Sequence, residues 1–351
     1  MPGANTETIK RSGNSYDAIR FLAATAVLFS HHFALSGRAE PPVPLYGEDF
    51  GKLAVEVFFA LSGFLIARSL QKTTDLSRFA AARVLRIYPN LLFALVSASA
   101  VTLVYFDNYG NWIAHLKYVY RNLFLFIRGV QFDIPGTFQD AVPVLASVNV
   151  PLWSLPIEIR CYVLLFLVFR LPASWRLAVI MALLAAMSLP YAAGLEGGHA
   201  DLYQHSRLGC FFFAGALLAY RWDWIGQRTL SIGLAAIAVL IALKLVIPFD
   251  SALNGLALAA IVICAGSSRL LAWFARGGDA SYGIYIFAWP VQKFCILLIP
   301  GFWNSMAVAF VFTVAIGYAT WHLFEKRCMS KVDAVADRIR NTMRRLLRQP
   351  A

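Results

Sequence analysis

The first long apolar stretch of the chain, residues 16–36, is the feature that most constrains the fold. About 20 helical residues cross the hydrocarbon core of a bilayer, so this stretch is long enough to span a membrane. It nevertheless carries Asp17 and Arg20 near its start and the pair His31 and His32 well inside. Because ionisable groups are costly within a spanning helix, we treat these residues as candidates for a functional site.

The composition extends this interpretation to the whole chain. Of its 351 residues 59% are hydrophobic and 14% are charged, whereas a soluble domain averages about 25% charged residues. A cleaved signal peptide is the alternative for residues 16–36, but many apolar runs follow and argue against it. We predict an all-α polytopic integral membrane protein with about ten transmembrane helices. The later predicted spans are 52–70, 88–106, 153–169, 176–194, 207–220, 230–248, 252–267, 281–299 and 302–324.

The distribution of lysine and arginine predicts the orientation. Most of the 31 basic residues fall on the inner side if the N-terminus is cytoplasmic, as the positive-inside rule requires. An even number of spans then places the C-terminus inside as well (N-in/C-in). Residues 1–15 become a cytoplasmic segment and residues 16–324 the transmembrane domain. The long outer connection, 107–151, is expected to lie partly in the outer interface.

The last segment, 325–351, has apolar residues at spacings of three and four among many arginines. This pattern is typical of a basic amphipathic helix and favours binding to anionic lipids of the inner leaflet. Nucleic-acid binding is the weaker interpretation, so no nucleic-acid partner is predicted.

The spacing of Arg20 and His31 places both on one face of the first helix. Eleven steps of about 100° bring His31 back to the face of Arg20, roughly 16 Å further along the axis. His32 points about 100° away from that face. We therefore expect a guanidinium at one end of a slot and an imidazole near mid-membrane.

Span 52–70 contains a carboxylate, Glu56, and the small pair Ser62-Gly63. Small residues let helices approach closely, so helix packing is the interpretation that this stretch favours by itself. Glu56 requires a polar partner at that depth.

Two arginines, Arg83 and Arg86, share a helix face at the predicted inner boundary of span 88–106. Together with Arg78 they could hold the phosphates of a nucleotide-bearing ligand. The alternative is that they only follow the positive-inside rule.

Glu158 lies near the start of span 153–169, at a depth similar to that of His31. A carboxylate that orients and charges an imidazole is a common way to build a general base. We therefore expect Glu158 to pair with His31. The alternative is that Glu158 pairs with Arg160 or Arg207.

Taken in order, these motifs resemble the membrane-bound acyltransferase family 3. The matching segments are Asp17 and Arg20 with His31, FFALSGF at 58–64, RVLRIYP at 83–89, WSLPIEIRCY at 153–162, SYGIYIFAWP at 281–290 and FEK at 324–326. Each motif is weak singly, but the series covers nearly the whole chain. Ala288 departs from the family pattern, because many relatives have histidine there, so we assign the helix of 281–299 no catalytic role.

The resemblance implies an enzyme of the bacterial inner membrane. It would move an acyl group, usually acetyl from cytoplasmic acetyl-CoA, to a hydroxyl of a carbohydrate such as a cell-surface polysaccharide or lipid-linked glycan. The implied roles are catalytic for His31 and Glu158, donor binding for Arg20, Arg83 and Arg86, and lining of the reaction chamber for Ser62, Gly63, Trp153 and Tyr282.

No metal is predicted, because the His31 face carries no second ligand at metal spacing. The contrasting hypothesis is a transporter or flippase that uses the same intramembrane charges without chemistry.

Overall fold

The computed structural model describes residues 13–44, 46–138, 146–192, 200–246 and 252–346. Within these ranges the chain is helical and forms no β-strand, apart from an isolated bridge between Pro42 and Asp49. The predicted all-α class is confirmed. The main helices are α1 (Tyr16–Leu35), α2 (Phe50–Lys72), α3 (Leu76–Tyr105), α4 (Trp112–Leu123), α5 (Ser154–Arg170), α6 (Ala173–Ala192), α7 (Ala200–Tyr220), α8 (Thr229–Val246), α9 (Ala252–Ser267), α10 (Ser281–Leu298), α11 (Phe302–Thr320) and α12 (Val332–Leu346).

Six helical stretches are long and apolar enough to cross a membrane. A long helix also lies at each of the other predicted spans, including shorter apolar stretches at Thr229–Leu243 and Leu253–Ser267. Parts of several predicted segments lie outside the described residues, namely 1–12, 139–145, 193–199, 247–251 and 347–351.

Side-chain caps fix where α2 and α3 begin. The Asp49 carboxylate accepts from the backbone N–H of Lys52 at 2.7 Å, and that of Asp75 accepts from Ser77 at 2.9 Å. An aspartate at this position satisfies N–H groups that have no partner within the helix. Because of its cap, α3 starts well before the predicted span 88–106, so it carries the arginine pair within one continuous helix.

The closest helix crossing joins α2 to α7. A Cβ atom at Gly63 would lie 1.8 Å from the carbonyl oxygen of Phe212, and one at Gly215 would lie 2.0 Å from that of Ala60. Only glycine permits the two backbones to approach this closely. Gly63, which was predicted to line the chamber, therefore packs against α7 instead.

The same crossing supplies the partner that Glu56 requires. Arg207 on α7 lies 3.5 Å from the Glu56 carboxylate, and both side chains are buried. The Tyr46 hydroxyl, from the loop between α1 and α2, donates to Glu56 at 2.5 Å. A buried charge pair of this kind holds the two helices in one register because either charge alone would be costly.

Within the connection between α3 and α5, helix α4 packs against α3. In α4 the side chains of Tyr118 and Asn122 are buried, whereas Trp112, Ile113 and Leu116 are exposed. This one-sided pattern agrees with a helix that lies along an interface.

The tail helix α12 packs against the start of α3. Arg78 pairs with Asp333 at 3.0 Å, and Arg340 pairs with Asp75. Ala336 is buried, while Arg338, Arg344 and Arg345 are exposed. The side of α12 that carries Ala336 thus contacts protein, while Arg338, Arg344 and Arg345 face outwards.

Substituting Gly63 with alanine should destabilise the fold by about 1–3 kcal/mol or more, because its methyl group would overlap the Phe212 carbonyl. Thermal unfolding of the purified protein in detergent measures this effect. Gly110→Ala is the matched control, since no atom lies within 4 Å of the added Cβ. Equal unfolding midpoints for the two variants would contradict the close crossing.

Candidate active site

A cavity of about 420 Å³ lies between α1, α2, α3, α5 and α10. Its size is within the range of about 300–1,000 Å³ that is usual for small-molecule sites. It brings together residues that are far apart in the sequence. The predicted site residues that line it are Arg20, Ser62, Arg83, Arg86, Glu158 and Tyr282.

One end of the cavity is built around a buried carboxylate, Asp279, just before α10. Its Oδ2 atom accepts from Arg20 at 2.9 Å and from Arg86 at 2.6 Å. Burial raises the pKa of the Asp279 carboxyl, but the attraction of Arg86 and Arg20 outweighs it, so the pKa lies below its ordinary value. Asp279 therefore stays ionised and holds α1 and α3 together.

A second buried carboxylate, Glu325, completes this network. It pairs with Arg86, and its other oxygen accepts from the Asn90 amide at 2.8 Å. Glu325 ends a single π-helical turn after α11, which directs its side chain towards α3. In the described residues, Arg86 pairs with both Asp279 and Glu325, and Arg20 pairs with Asp279.

Arg83 differs from the other two arginines of the cavity. In the described residues it forms no ion pair, and its buried Nε atom has no hydrogen-bond partner. The guanidinium lies 5.6 Å from the centre of the Tyr162 ring. Arg83 is therefore a cavity-lining cation that no described carboxylate contacts at ion-pair distance, although the charge of Glu158 in the same cavity attracts it. Its unpartnered Nε–H leaves a donor for an anion.

The deeper part of the cavity contains Glu158. Its Oε1 atom accepts from the Ser62 hydroxyl at 3.1 Å and also from the Tyr162 hydroxyl. Tyr162 follows Glu158 by one helical turn and so lies on the same face of α5. Ser62 belongs to α2, and Arg83, which packs against Tyr162, belongs to α3. Side chains of α2, α3 and α5 therefore meet at Glu158.

The expected hydrogen bond between Glu158 and His31 does not form among the described residues. The His31 Nδ1 atom is buried without a hydrogen-bond partner, and its ring stands edge-on to Trp289 at 5.1 Å between centroids. The alternative partners are also occupied, because Arg207 pairs with Glu56 and Arg160 contacts His205. Glu158 is instead satisfied by the hydroxyls nearest to it.

His31 lies just beyond the deep end of the cavity. Tyr285 lines that end, and Trp289, which contacts His31, is one turn further along α10. One turn corresponds to a rise of about 5–6 Å. Trp153 ends a short helical turn before α5 and, like His31 and Gly63, is not among the lining residues.

Sequence reasoning missed Asp279, Tyr162 and Tyr285. For Asp279 a signal existed, because buried arginines require a counter-charge and Asp279 immediately precedes the SYGIY motif. No comparable signal marks the two tyrosines. In an apolar chain the sequence pattern indicates only that a tyrosine packs in the interior. The tertiary structure is needed to show that its hydroxyl lies beside a carboxylate.

The helices and the charged cavity define a polytopic membrane protein with a polar chamber enclosed by its helices. Residues 14–322 match the family described as acyltransferase domain, acyltransferase family 3. The chain therefore belongs to this family and is an acyltransferase and a multi-pass membrane protein, as predicted. This membership favours the enzyme over the transporter or flippase.

Two relatives show how far the similarity extends. The O-acetyl transferase of Shigella phage Sf6 is 30% identical over 343 residues, covering 91% of this chain and 96% of the relative. Nodulation protein 10 of Rhizobium leguminosarum bv. viciae is 26% identical over 373 residues, covering 96% of this chain and 99% of the relative. The first relative supports the prediction of an O-acetyltransferase. No solved structure matches significantly.

Removing the charge of Asp279 should leave Arg20 and Arg86 poorly compensated. For Asp279→Asn we expect a loss of about 3–5 kcal/mol in unfolding free energy, the usual effect of breaking a buried pair. The matched control is Asp223→Asn, because Asp223 is fully exposed and lies 3.9 Å from Arg68. Denaturant titration in detergent should show little change for the control; a similar loss in both variants would contradict the bridging role.

Proposed function

We propose that this chain is a membrane O-acetyltransferase that moves an acetyl group from acetyl-CoA to a hydroxyl of a carbohydrate. The family establishes acyl transfer, and the name of the phage relative supports acetyl transfer to oxygen. The carbohydrate acceptor, a polysaccharide or a lipid-linked glycan, comes from the family resemblance. No metal takes part in the proposed reaction.

The proposal depends on the lack of an ion-pair partner for Arg83 among the described residues. The described residues pair Arg20 and Arg86 with Asp279, whereas none of them forms an ion pair with Arg83 or a hydrogen bond to its buried Nε atom. Acetyl-CoA brings phosphate groups, and arginine binds phosphate through paired hydrogen bonds. Arg83 would hold a phosphate directly, while Arg20 and Arg86, whose charges Asp279 and Glu325 balance, would contribute N–H donors around it.

From that end the pantetheine arm would extend along the cavity towards Ser62 and Glu158. The lining there is mainly apolar, with Phe58, Phe59 and Leu155 beside the polar cluster. A thioester delivered to this depth would lie at the end of the cavity nearest His31. Closing it off from water would favour transfer over hydrolysis.

His31 would act as general base on the acceptor. The His31 Nδ1 atom has no partner in the described residues, so it can accept the hydroxyl proton and return it later in the reaction. The acceptor oxygen then attacks the thioester carbonyl and the C–S bond breaks. The proton held by His31 goes to the departing thiolate, which leaves as coenzyme A.

Glu158 would act from within the cavity rather than through His31. Its carboxylate holds the Ser62 and Tyr162 hydroxyls in place. Those hydroxyls, together with Tyr282, would shape the wall around the thioester. The direct orientation of His31 by Glu158 is not part of the proposal.

We propose that the protein lies in the inner membrane of a bacterium. It would cross that membrane ten times, with both termini in the cytoplasm. This orientation places Arg83 and α12 on the side that contains acetyl-CoA. Arg338, Arg344 and Arg345 of α12 would contact anionic lipid headgroups, since they face outwards while α12 packs on α3.

Replacing Arg83 with glutamine should raise the KM for acetyl-CoA about 10- to 100-fold, as expected for losing a hydrogen bond to a charged group. Arg78→Gln is the matched control on the same helix, because Arg78 lies outside the cavity lining and pairs with Asp333. Acetyl transfer measured in membranes against acetyl-CoA concentration tests this. An unchanged KM for the Arg83 variant would show that the phosphates of acetyl-CoA do not bind at Arg83.

Replacing His31 with alanine should reduce transfer about 10²- to 10⁴-fold while acetyl-CoA binding is retained. The assay follows radioactive acetyl groups from acetyl-CoA into glycan, in membranes from a strain that supplies the glycan. His32→Gln is the control, because the His32 ring faces Ser305 at 3.1 Å rather than the cavity. Full labelling by the His31 variant would refute the general base. If the wild type neither labels glycan nor binds coenzyme A, acetyl-CoA is not the donor. Transport assays would then test the transporter hypothesis.

A further inference from the structure

We propose that Trp289, anchored by the backbone carbonyl of Ser147, is the residue that positions the His31 imidazole for acetyl transfer. This inference rests on the proposed function, in which His31 is the base. It assigns a role to α10, a helix whose sequence predicted no catalytic role. Trp289 would act through His31 and would not touch the reacting atoms.

The orientation of His31 requires a physical cause. A catalytic imidazole is usually held by a hydrogen bond from one ring nitrogen to a carboxylate or carbonyl. Here Nδ1 is buried with no such partner in the described residues, and Glu158 is engaged by two hydroxyls. Packing must therefore set the ring angle.

Trp289 provides that packing. Its ring centroid lies 5.1 Å from that of His31, at an interplanar angle of 80°. Edge-to-face contact at this distance is a favourable arrangement for two aromatic rings. The Trp289 side chain is 2% exposed, so neighbouring atoms leave it little freedom to move.

The indole is also held by a hydrogen bond. Its Nε1–H donates to the Ser147 carbonyl at 3.1 Å, and the Lys293 ammonium donates to the same oxygen at 2.7 Å. Trp289 and Lys293 are one turn apart on α10, so they present one face to that carbonyl. The Lys293 ammonium further lies 3.7 Å from the centre of the Phe138 ring.

The segment that carries Ser147 is itself attached along α10. The Asn149 amide donates to the Ile286 carbonyl at 2.9 Å, and the Tyr285 hydroxyl donates to the Pro151 carbonyl at 3.0 Å. The Ser154 hydroxyl lies 2.8 Å from that of Tyr285. Because these bonds act together, the Ser147 carbonyl is a fixed point against which the indole can be oriented.

A separate bond fixes α10 against the helix that carries His31. The buried Gln292 amide donates to the Leu28 carbonyl at 2.7 Å, close to His31 along α1. The backbone position and the ring angle of the imidazole are therefore both set by α10. The proposed donor-binding arginine, Arg83, packs against the Tyr162 ring instead.

The test compares Trp289→Leu, Trp289→Phe and Lys293→Met in the acetyl-transfer assay. We expect Trp289→Leu to lower kcat about 10- to 100-fold with an unchanged KM for acetyl-CoA, because small displacements of a catalytic group have effects of this size. Trp289→Phe keeps an aromatic ring but loses the N–H, so it should recover part of kcat. Lys293→Met should lower kcat less than Trp289→Leu. Trp175→Leu, at an exposed tryptophan of α6, is the control.

The outcomes separate this inference from the function on which it rests. If His31→Ala is inactive and Trp289→Leu keeps the wild-type kcat, the positioning role is refuted and the base stands. If His31→Ala is fully active, His31 is not the base, and the proposed function fails before the role of Trp289 is tested. A rise in KM without a fall in kcat would also refute positioning. Should Trp289→Leu not fold, Trp289→Phe decides: a reduced kcat at unchanged KM supports the anchor, and a wild-type kcat overturns it.

Discussion

Two arginines and a carboxylate in an apolar bundle set the conditions for the rest of this structure. Asp279 bonds to Arg20 of α1 and Arg86 of α3, and Arg86 is shared with Glu325 after α11. In a low-dielectric interior an unmatched charge is very unfavourable, so these elements must meet at one point. Arg20, Arg86 and Asp279 all line the cavity, so the network contributes to its charge.

The chamber is asymmetric, and this bears on how transfer would proceed. Paired arginines surround Asp279, whereas Arg83 lies 5.6 Å from the centre of the Tyr162 ring, beside the carboxylate of Glu158 and its two hydroxyl donors. His31 lies beyond that cluster, in contact with aromatic packing. A donor with a long flexible arm suits this layout because its charged end and its reactive end are far apart. In the proposed reaction, the acceptor would reach His31 from outside this cavity.

The parts of the site that could be predicted are those in which charge conflicts with an apolar setting. Arg20, Arg83, Arg86 and Glu158 stood out for this reason, and the structure brings all four to one cavity. The partner of Glu158 was predicted wrongly. His31 was predicted as the partner because both residues lie at a similar depth in the membrane. Depth, however, does not determine the rotation of a helix about its axis, which decides where its side chains point. Tyr162, one turn along the same helix, was always within reach.

The sequence by itself determined the helical class, the approximate position of every described long helix and the residues that require polar partners. Those properties depend on hydropathy, on caps such as Asp49 and Asp75, and on local spacing, all of which act between near neighbours. The tertiary structure alone decided which partners were chosen: Asp279 for Arg20, Arg207 for Glu56, and Trp289 beside His31. Such contacts join residues distant in sequence, and they follow from how helices rotate and approach. That approach depends on close packing at points such as Gly63, which no local pattern specifies.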